Sequence, residues 1–183
     1  SGKSTIANLI KDRIEKKYGP TIVMSGDDLR NITNFQKYEK KDRLEFSKTK
    51  LKFYKFVTDQ KINLIFSTIS LFESVRRENK RHILNYVEIF IKADVKTIIK
   101  NNKKKLYKKK KEKIWGINIK AEFPKKPLIQ IESNFKTPIK TLSNNLIKLI
   151  TNKLKYYFFI LSLLIASLYF ENLILLKGKS ILS

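Results

Sequence analysis

Apolar residues recur at helical spacing from the start of the chain, where Ile6, Leu9, Ile10 and Ile14 mark one face of a segment running from Thr5 to Lys17. Gly19-Pro20 breaks that pattern, and Thr21-Ile22-Val23-Met24-Ser25 follows as a short β-rich run. The alternation continues downstream. It predicts strands at Thr21–Ser25, Asn63–Thr68, Tyr86–Ile91 and Leu128–Glu132. Between and around them it predicts helices at Thr5–Lys17, Lys40–Gln60, Leu71–Leu84, Val95–Lys104 and Pro138–Lys155. Mostly apolar strands separated by helices imply an α/β fold, a parallel sheet with helices on both faces. Such sheets collect ligands at the carboxyl ends of their strands. Ser25-Gly26-Asp27-Asp28 and Ser67-Thr68-Ile69-Ser70 are therefore expected at one edge.

The last stretch changes character. Tyr156 to Phe170 is 15 residues without a charge, and extension to Leu176 admits Glu171 and Asn172. A bilayer core takes about 20 apolar residues, and Lys153, Lys155, Lys177 and Lys179 flank both sides without an orientation bias. Three readings stand: a membrane helix over 156–176, a hydrophobic helix for a partner, or a tail altered by truncation or frameshift. The expected organisation is an α/β domain over 1–150, incomplete at its N-terminus, and a hydrophobic C-terminal tail over 151–183.

Composition removes several chemistries. The absence of Cys excludes a disulfide framework, a thiolate zinc site and a cysteine nucleophile, and the single His82 excludes a multi-histidine metal site within one chain. A net charge of +24 on 183 residues ordinarily points to nucleic acid or an anionic surface. Here 34 of the 40 basic residues are Lys, and Ile, Asn, Phe and Tyr are also abundant. All these residues have A/T-rich codons, so base bias accounts for much of the excess. Lys fills eight of the eleven positions from Lys103 to Lys113, a solvated face or a non-specific polyphosphate contact. No motif for reading nucleic acid accompanies it, and no specific nucleic-acid partner is expected.

The opening residues carry the sharpest chemistry. Ser1-Gly2-Lys3-Ser4-Thr5 matches the second half of the phosphate-loop motif G-x-x-x-x-G-K-S/T. Gly2 would let the backbone close around a phosphate. Lys3 would reach the β- and γ-phosphate oxygens of ATP, and the Ser4 hydroxyl would ligate Mg²⁺. The helix after Thr5 would turn its first amides toward the same anion. Loop, helix, turn and strand is the order of a P-loop fold, which predicts a first strand and the leading Gly of the loop ahead of Ser1.

Downstream, Asp27 at a strand end can hold Mg²⁺ through water or accept a proton from an attacking hydroxyl; a helix N-cap is its alternative. Arg30 and Arg43 carry the planar forks that grip sulfate or phosphate, or they make surface ion pairs. Tyr38 can stack on a nucleobase or pack in the core.

Taken together these segments resemble adenylylsulfate kinase, the P-loop enzyme that phosphorylates the 3′-hydroxyl of adenosine 5′-phosphosulfate. The resemblance covers roughly Ser1 to Ile150. It rests on S-G-K-S-T-I-A-N, and on S-G-D-D-L-R at Ser25–Arg30, similar to the family's D-G-D-N-x-R. Tyr38 with Asp42-Arg43 is similar to F-S-x-x-D-R, and T-I-S-L-F at Thr68–Phe72 to I-S-P-F. Leu106-Tyr107-Lys108-Lys109, Gly116-Ile117 and Pro124 to Pro127 continue the series. The resemblance implies ATP and Mg²⁺ as cofactors, a nucleotide acceptor and a cytoplasmic enzyme of sulfate activation, and it leaves open a homodimer and membrane contact through the tail. It sets Ser70 on the serine discussed in the family as a phosphoserine intermediate, with a helix cap as the alternative. It also sets Lys108 and Lys109 in a lid over the nucleotides.

The departures are specific. Ser25 replaces the first family Asp, Phe46 stands where Asn follows Glu45, and Glu73 occupies the place of an acceptor-site Arg. Asn101-Asn102 replace Arg-Asp, Asn118 replaces the Asp after Gly-Ile, and the segment between Tyr107 and Gly116 is about four residues short. Two explanations fit. The I-S-L-F form resembles kinase-like proteins of bacterial surface-polysaccharide clusters, some of which phosphorylate another nucleotide such as cytidine diphosphoramidate. The other explanation is a degenerate, non-catalytic P-loop fragment.

Overall fold

The computed structural model describes residues 2–69, 72–94, 97 and 122–155. Its elements run α1 (Lys3–Tyr18), β1 (Thr21–Ser25), α2 (Gly26–Ile32), α3 (Lys40–Asp59), β2 (Asn63–Ser67), α4 (Glu73–His82), β3 (Ile89–Lys92) and β4 (Ile129–Glu132). A last helix, α5, covers 139–155. The chain divides into two compact units, Ser1–Leu146 and Ile147–Ser183. In the second unit the described residues, 147–155, are helical.

The fold is α/β with parallel strands, as the alternating pattern predicts. β1 pairs in parallel with β2 from Thr21 opposite Asn63 to Ser25 opposite Ser67. β3 pairs in parallel with β4 from Ile89 opposite Ile129 to Lys92 opposite Glu132. One difference from the expected single sheet is that the four described strands form two separate pairs, with no ladder between β2 and β3. Each strand therefore keeps one edge unpaired among the described residues. The five residues of β2 are correspondingly half-buried, where an interior parallel strand would be covered on both faces.

Helix α1 forms where its apolar stripe demands it, burying Ile6, Ala7, Ile10 and Ile14. It packs on β1 and β2, and the start of α5 closes over it through the bond from Arg13 Nη1 to Asn144 Oδ1, 2.7 Å. Helix α3 buries Phe46, Lys50, Tyr54 and Val57 along one stripe. Tyr54 meets Phe66 of β2 edge-on, with centroids 4.7 Å apart. Helix α4 is pinned by Arg76, a buried guanidinium that pairs with Glu73 and, at 3.1 Å, with Glu88. Burial raises the Glu88 carboxyl above the ordinary carboxylate range. Glu73, the residue in the family's acceptor-Arg position, thus engages Arg76.

Helix α2 is absent from the pattern-based expectation. Its seven residues are too few for an amphipathic repeat, and a reciprocal cap starts it: the Asp28 amide donates to Ser25 Oγ at 3.1 Å, and the Ser25 amide donates to Asp28 Oδ2 at 2.8 Å. Among the described residues no helix is long and apolar enough to cross a membrane. The segment 156–176, the proposed tail helix, lies outside the described residues, as does nearly all of the helix expected at Val95–Lys104.

Candidate active site

The phosphate-loop half-motif lies at the N-terminus of α1. Gly2 takes φ +72°, a left-handed conformation that L side chains rarely adopt, and a Cβ there would sit 3.1 Å from Ile139 Cδ1. Its carbonyl accepts the Ile6 amide at 2.9 Å, the first bond of the helix. The amides of Lys3 to Thr5 precede the first intrahelical donor and so form the electropositive end of α1. Ser4 and Thr5 are exposed.

The two predicted strand ends meet at this helix. The Ser4 and Ser67 hydroxyls are 3.0 Å apart, linking the first turn of α1 to the end of β2. Ser67 lies opposite Ser25 in the parallel ladder, so the β1–α2 junction falls at the same edge. Approach is close there: a Cβ on Gly26 would come within 3.0 Å of Thr68 Oγ1. Ser25, which replaces a family carboxylate, is the N-cap of α2. Because Ser25 and Asp28 complete that cap between them, Asp27 is left exposed with no hydrogen bond or ion pair among the described residues. The helix-cap alternative for Asp27 is therefore taken by its neighbours.

No cluster of three or more His, Cys, Asp or Glu side chains suited to a metal ion occurs among the described residues. Ser4 and Asp27 offer a hydroxyl and a carboxylate. Such hard oxygen donors suit Mg²⁺ held mainly by water and substrate phosphate.

A second group gathers around the loop between α2 and α3. Arg30 is buried and its Nη1 donates to the carbonyls of Phe35 and Lys37, both at 2.9 Å. Its Cζ lies 4.4 Å from the Phe46 ring centroid, 4.6 Å from Tyr38 and 5.4 Å from Phe35. Phe35 and Phe46 stack with centroids 4.8 Å apart. Phe46, one of the departures noted above, is thus the floor on which Arg30 rests. Arg43 Nε donates to the Tyr38 carbonyl at 2.7 Å, and its Cζ stands 5.5 Å from the Tyr38 ring. Tyr38 itself is half-exposed, its hydroxyl donating to Gln36 Oε1 at 3.2 Å. Arg30, Tyr38 and Arg43 are therefore brought together, with Arg30 also holding the loop.

Sequence reasoning missed Lys50. It is buried on the stripe between Phe46 and Tyr54, and that i+4 register was the signal that could have found it. Burial and the nearby charges of Arg30 and Arg43 push its pKa down to about 8. Ser1, Ser70, Lys108 and Lys109 lie outside the described residues.

The adenylylsulphate kinase family model matches residues 1–132. A cytidine diphosphoramidate kinase of Campylobacter jejuni is 32% identical over 133 residues, covering 70% of this chain and 78% of the relative. An adenylyl-sulfate kinase of Thermodesulfovibrio yellowstonii is 29% identical over 163 residues, covering 85% and 80%. Among solved structures, the APS kinase of Mycobacterium tuberculosis in complex with AMPPNP and APS superposes with a TM-score of 0.73 at 21% identity, covering 82% of this chain and 91% of that one. That last likeness concerns the fold. The family model spans residues 1–132 of the 183, well over half of the sequence, and the chain belongs to the adenylylsulphate kinase family.

Proposed function

We propose that the chain transfers the terminal phosphoryl group of ATP to a hydroxyl of an anionic nucleotide, and that the acceptor is of the cytidine diphosphoramidate type. The observation that carries the reaction type is the meeting of α1, β1 and β2 at one edge, where Ser4 bonds to Ser67 and the Asp27 carboxylate has no partner. In the proposed step the acceptor oxygen forms a bond to the γ-phosphorus as the bond to the bridging oxygen of ATP breaks. Asp27 takes the hydroxyl proton and ADP leaves. Lys3 and the first-turn amides of α1 neutralise the charge that develops on the phosphoryl oxygens. Mg²⁺, held by Ser4 and, through water, Asp27, would supply further polarisation of those oxygens. Arg43 and Tyr38 hold the acceptor, while Arg30 shapes the loop that carries them. Ser70 is proposed to act at the same edge, and Lys108 and Lys109 to cover the nucleotides. ATP as donor places the reaction in the cytoplasm.

The Campylobacter jejuni relative supports the acceptor choice, together with Phe46 and Glu73, which depart from the adenylylsulfate kinase pattern in the acceptor region. Adenylyl sulfate is the second reading, favoured by the family match and by S-G-D-D-L-R at Ser25–Arg30. The two are separated by incubating the chain with ATP, Mg²⁺ and each acceptor in turn and comparing kcat/KM. A higher value for cytidine diphosphoramidate is expected. A higher value for adenylyl sulfate would install the second reading, and transfer to neither would favour a non-catalytic nucleotide-binding fragment.

A further inference from the structure

Lys50 occupies a core position of α3 with an ammonium that nothing neutralises. The residue is only 8% exposed, and it has no hydrogen bond or ion pair among the described residues. Its Nζ lies 5.9 Å from the centroid of Phe46, the ring that Arg30 Cζ approaches to 4.4 Å. Tyr38 then links Arg30 to Arg43, at 4.6 and 5.5 Å. Three cations therefore stand along two shared rings. Burying an ammonium beside two guanidiniums is costly, and cation–π contact with one ring offsets only part of that cost. An amine so placed is largely desolvated and uncompensated.

We propose that Lys50 is a substrate-binding residue of the acceptor site, its ammonium joining Arg43 to hold the phosphoanhydride of the acceptor nucleotide. The proposal rests on the kinase reading above and adds the group that recognises the acceptor's charge. The depressed pKa fits an unliganded site of this kind, because a bound dianion would raise it again. Phe46 fits the same arrangement. Its ring is shared by Arg30 Cζ at 4.4 Å and Lys50 Nζ at 5.9 Å, so the acceptor would meet positioned charges rather than mobile side chains.

The test uses the full chain carrying Lys3→Ala, which removes the phosphate-loop lysine as a competing anion site, and titrates inorganic pyrophosphate by calorimetry at constant ionic strength. Adding Lys50→Met should weaken pyrophosphate binding about tenfold, the loss expected for one charge-assisted contact. Methionine keeps the volume and removes a buried charge, so thermal melting without anion should show the double variant at least as stable as its parent. Equal affinity with and without Lys50, or no pyrophosphate binding in the Lys3→Ala chain, would overturn the proposal. In the chain with Lys3 intact, Lys50→Met should raise KM for the acceptor and leave KM for ATP unchanged; a rise confined to ATP would also overturn it. Absence of turnover with every acceptor would defeat the kinase reading alone, since the pyrophosphate titration judges Lys50 without catalysis.

Discussion

The Ser4 hydroxyl lies 3.0 Å from the hydroxyl of Ser67, joining the first turn of α1 to the carboxyl end of β2. A serine hydroxyl that is to meet Mg²⁺ and phosphate must point one way, and a neighbouring hydroxyl on a paired strand sets that direction. Ser67→Ala should leave the fold intact and lower kcat about fivefold, the worth of one neutral hydrogen bond. It should also raise the Mg²⁺ concentration needed for half-maximal rate. Initial rates measured across a Mg²⁺ series check both; an unchanged Mg²⁺ dependence would make the contact incidental.

Asp27 is the carboxylate that α2 leaves unused, because Ser25 and Asp28 cap the helix without it. Asp27→Asn removes the proposed proton acceptor while keeping size and polarity. It should lower kcat by about 10²- to 10⁴-fold, the range for a lost general base, with ATP affinity preserved. Asp28→Asn should instead act on stability, through the cap. Paired kinetics and melting curves on the two variants distinguish chemistry from capping.

Arg30, read from the sequence as a fork for an acceptor anion or as a surface ion pair, is buried, bonded to two loop carbonyls and close to the rings of Phe35, Tyr38 and Phe46. Arg30→Lys loses the fork geometry and the flat stacking that an ammonium cannot reproduce. A loss of about 2 kcal/mol is expected from urea unfolding. Proteolysis should quicken within residues 33–39, and an unchanged cleavage rate there would show that Arg30 does not hold the loop.

Strand β1 was legible to the residue, because five β-prone residues follow a Gly-Pro break and end at Ser25. The boundaries of α1 and α3 were legible to within two residues, since each carries an apolar stripe. Helix α4 is shorter than its pattern, Glu73–His82 against Leu71–Leu84. Helix α2 was not seen as a helix, although its cap signature, Ser25 with Asp28 three residues later, stands in the sequence. The aromatic and cationic cluster was half legible. Arg30, Tyr38 and Arg43 were marked for their chemistry, but a lysine on a buried stripe reads as a surface residue until the stripe is aligned in space.

The titration of Lys50 gives a pH signature. It ionises at about 8 in the folded chain against an ordinary 10.5. Between those values the unfolded chain binds the extra proton, so the free energy of unfolding rises with pH across that window. Below about 8 both states are protonated and the penalty is fully present; above 10.5 neither is protonated and it is gone. The relief is on the order of 3 kcal/mol. Tyrosines and other lysines titrate in the same region, so the signal is the difference between the chain and Lys50→Met. Urea unfolding from pH 7 to 11 should show a rise that the variant lacks, and parallel curves would contradict it.

The central claim, that the edge shared by α1, β1 and β2 is a phosphoryl-transfer site, is tested most directly by following the terminal phosphate of ATP onto an acceptor nucleotide in the chain and in its Lys3→Ala variant. The expected result is transfer by the chain and a rate at least about 10²-fold lower in the variant. Equal transfer by both, or transfer by neither with cytidine diphosphoramidate or adenylyl sulfate supplied, would contradict it.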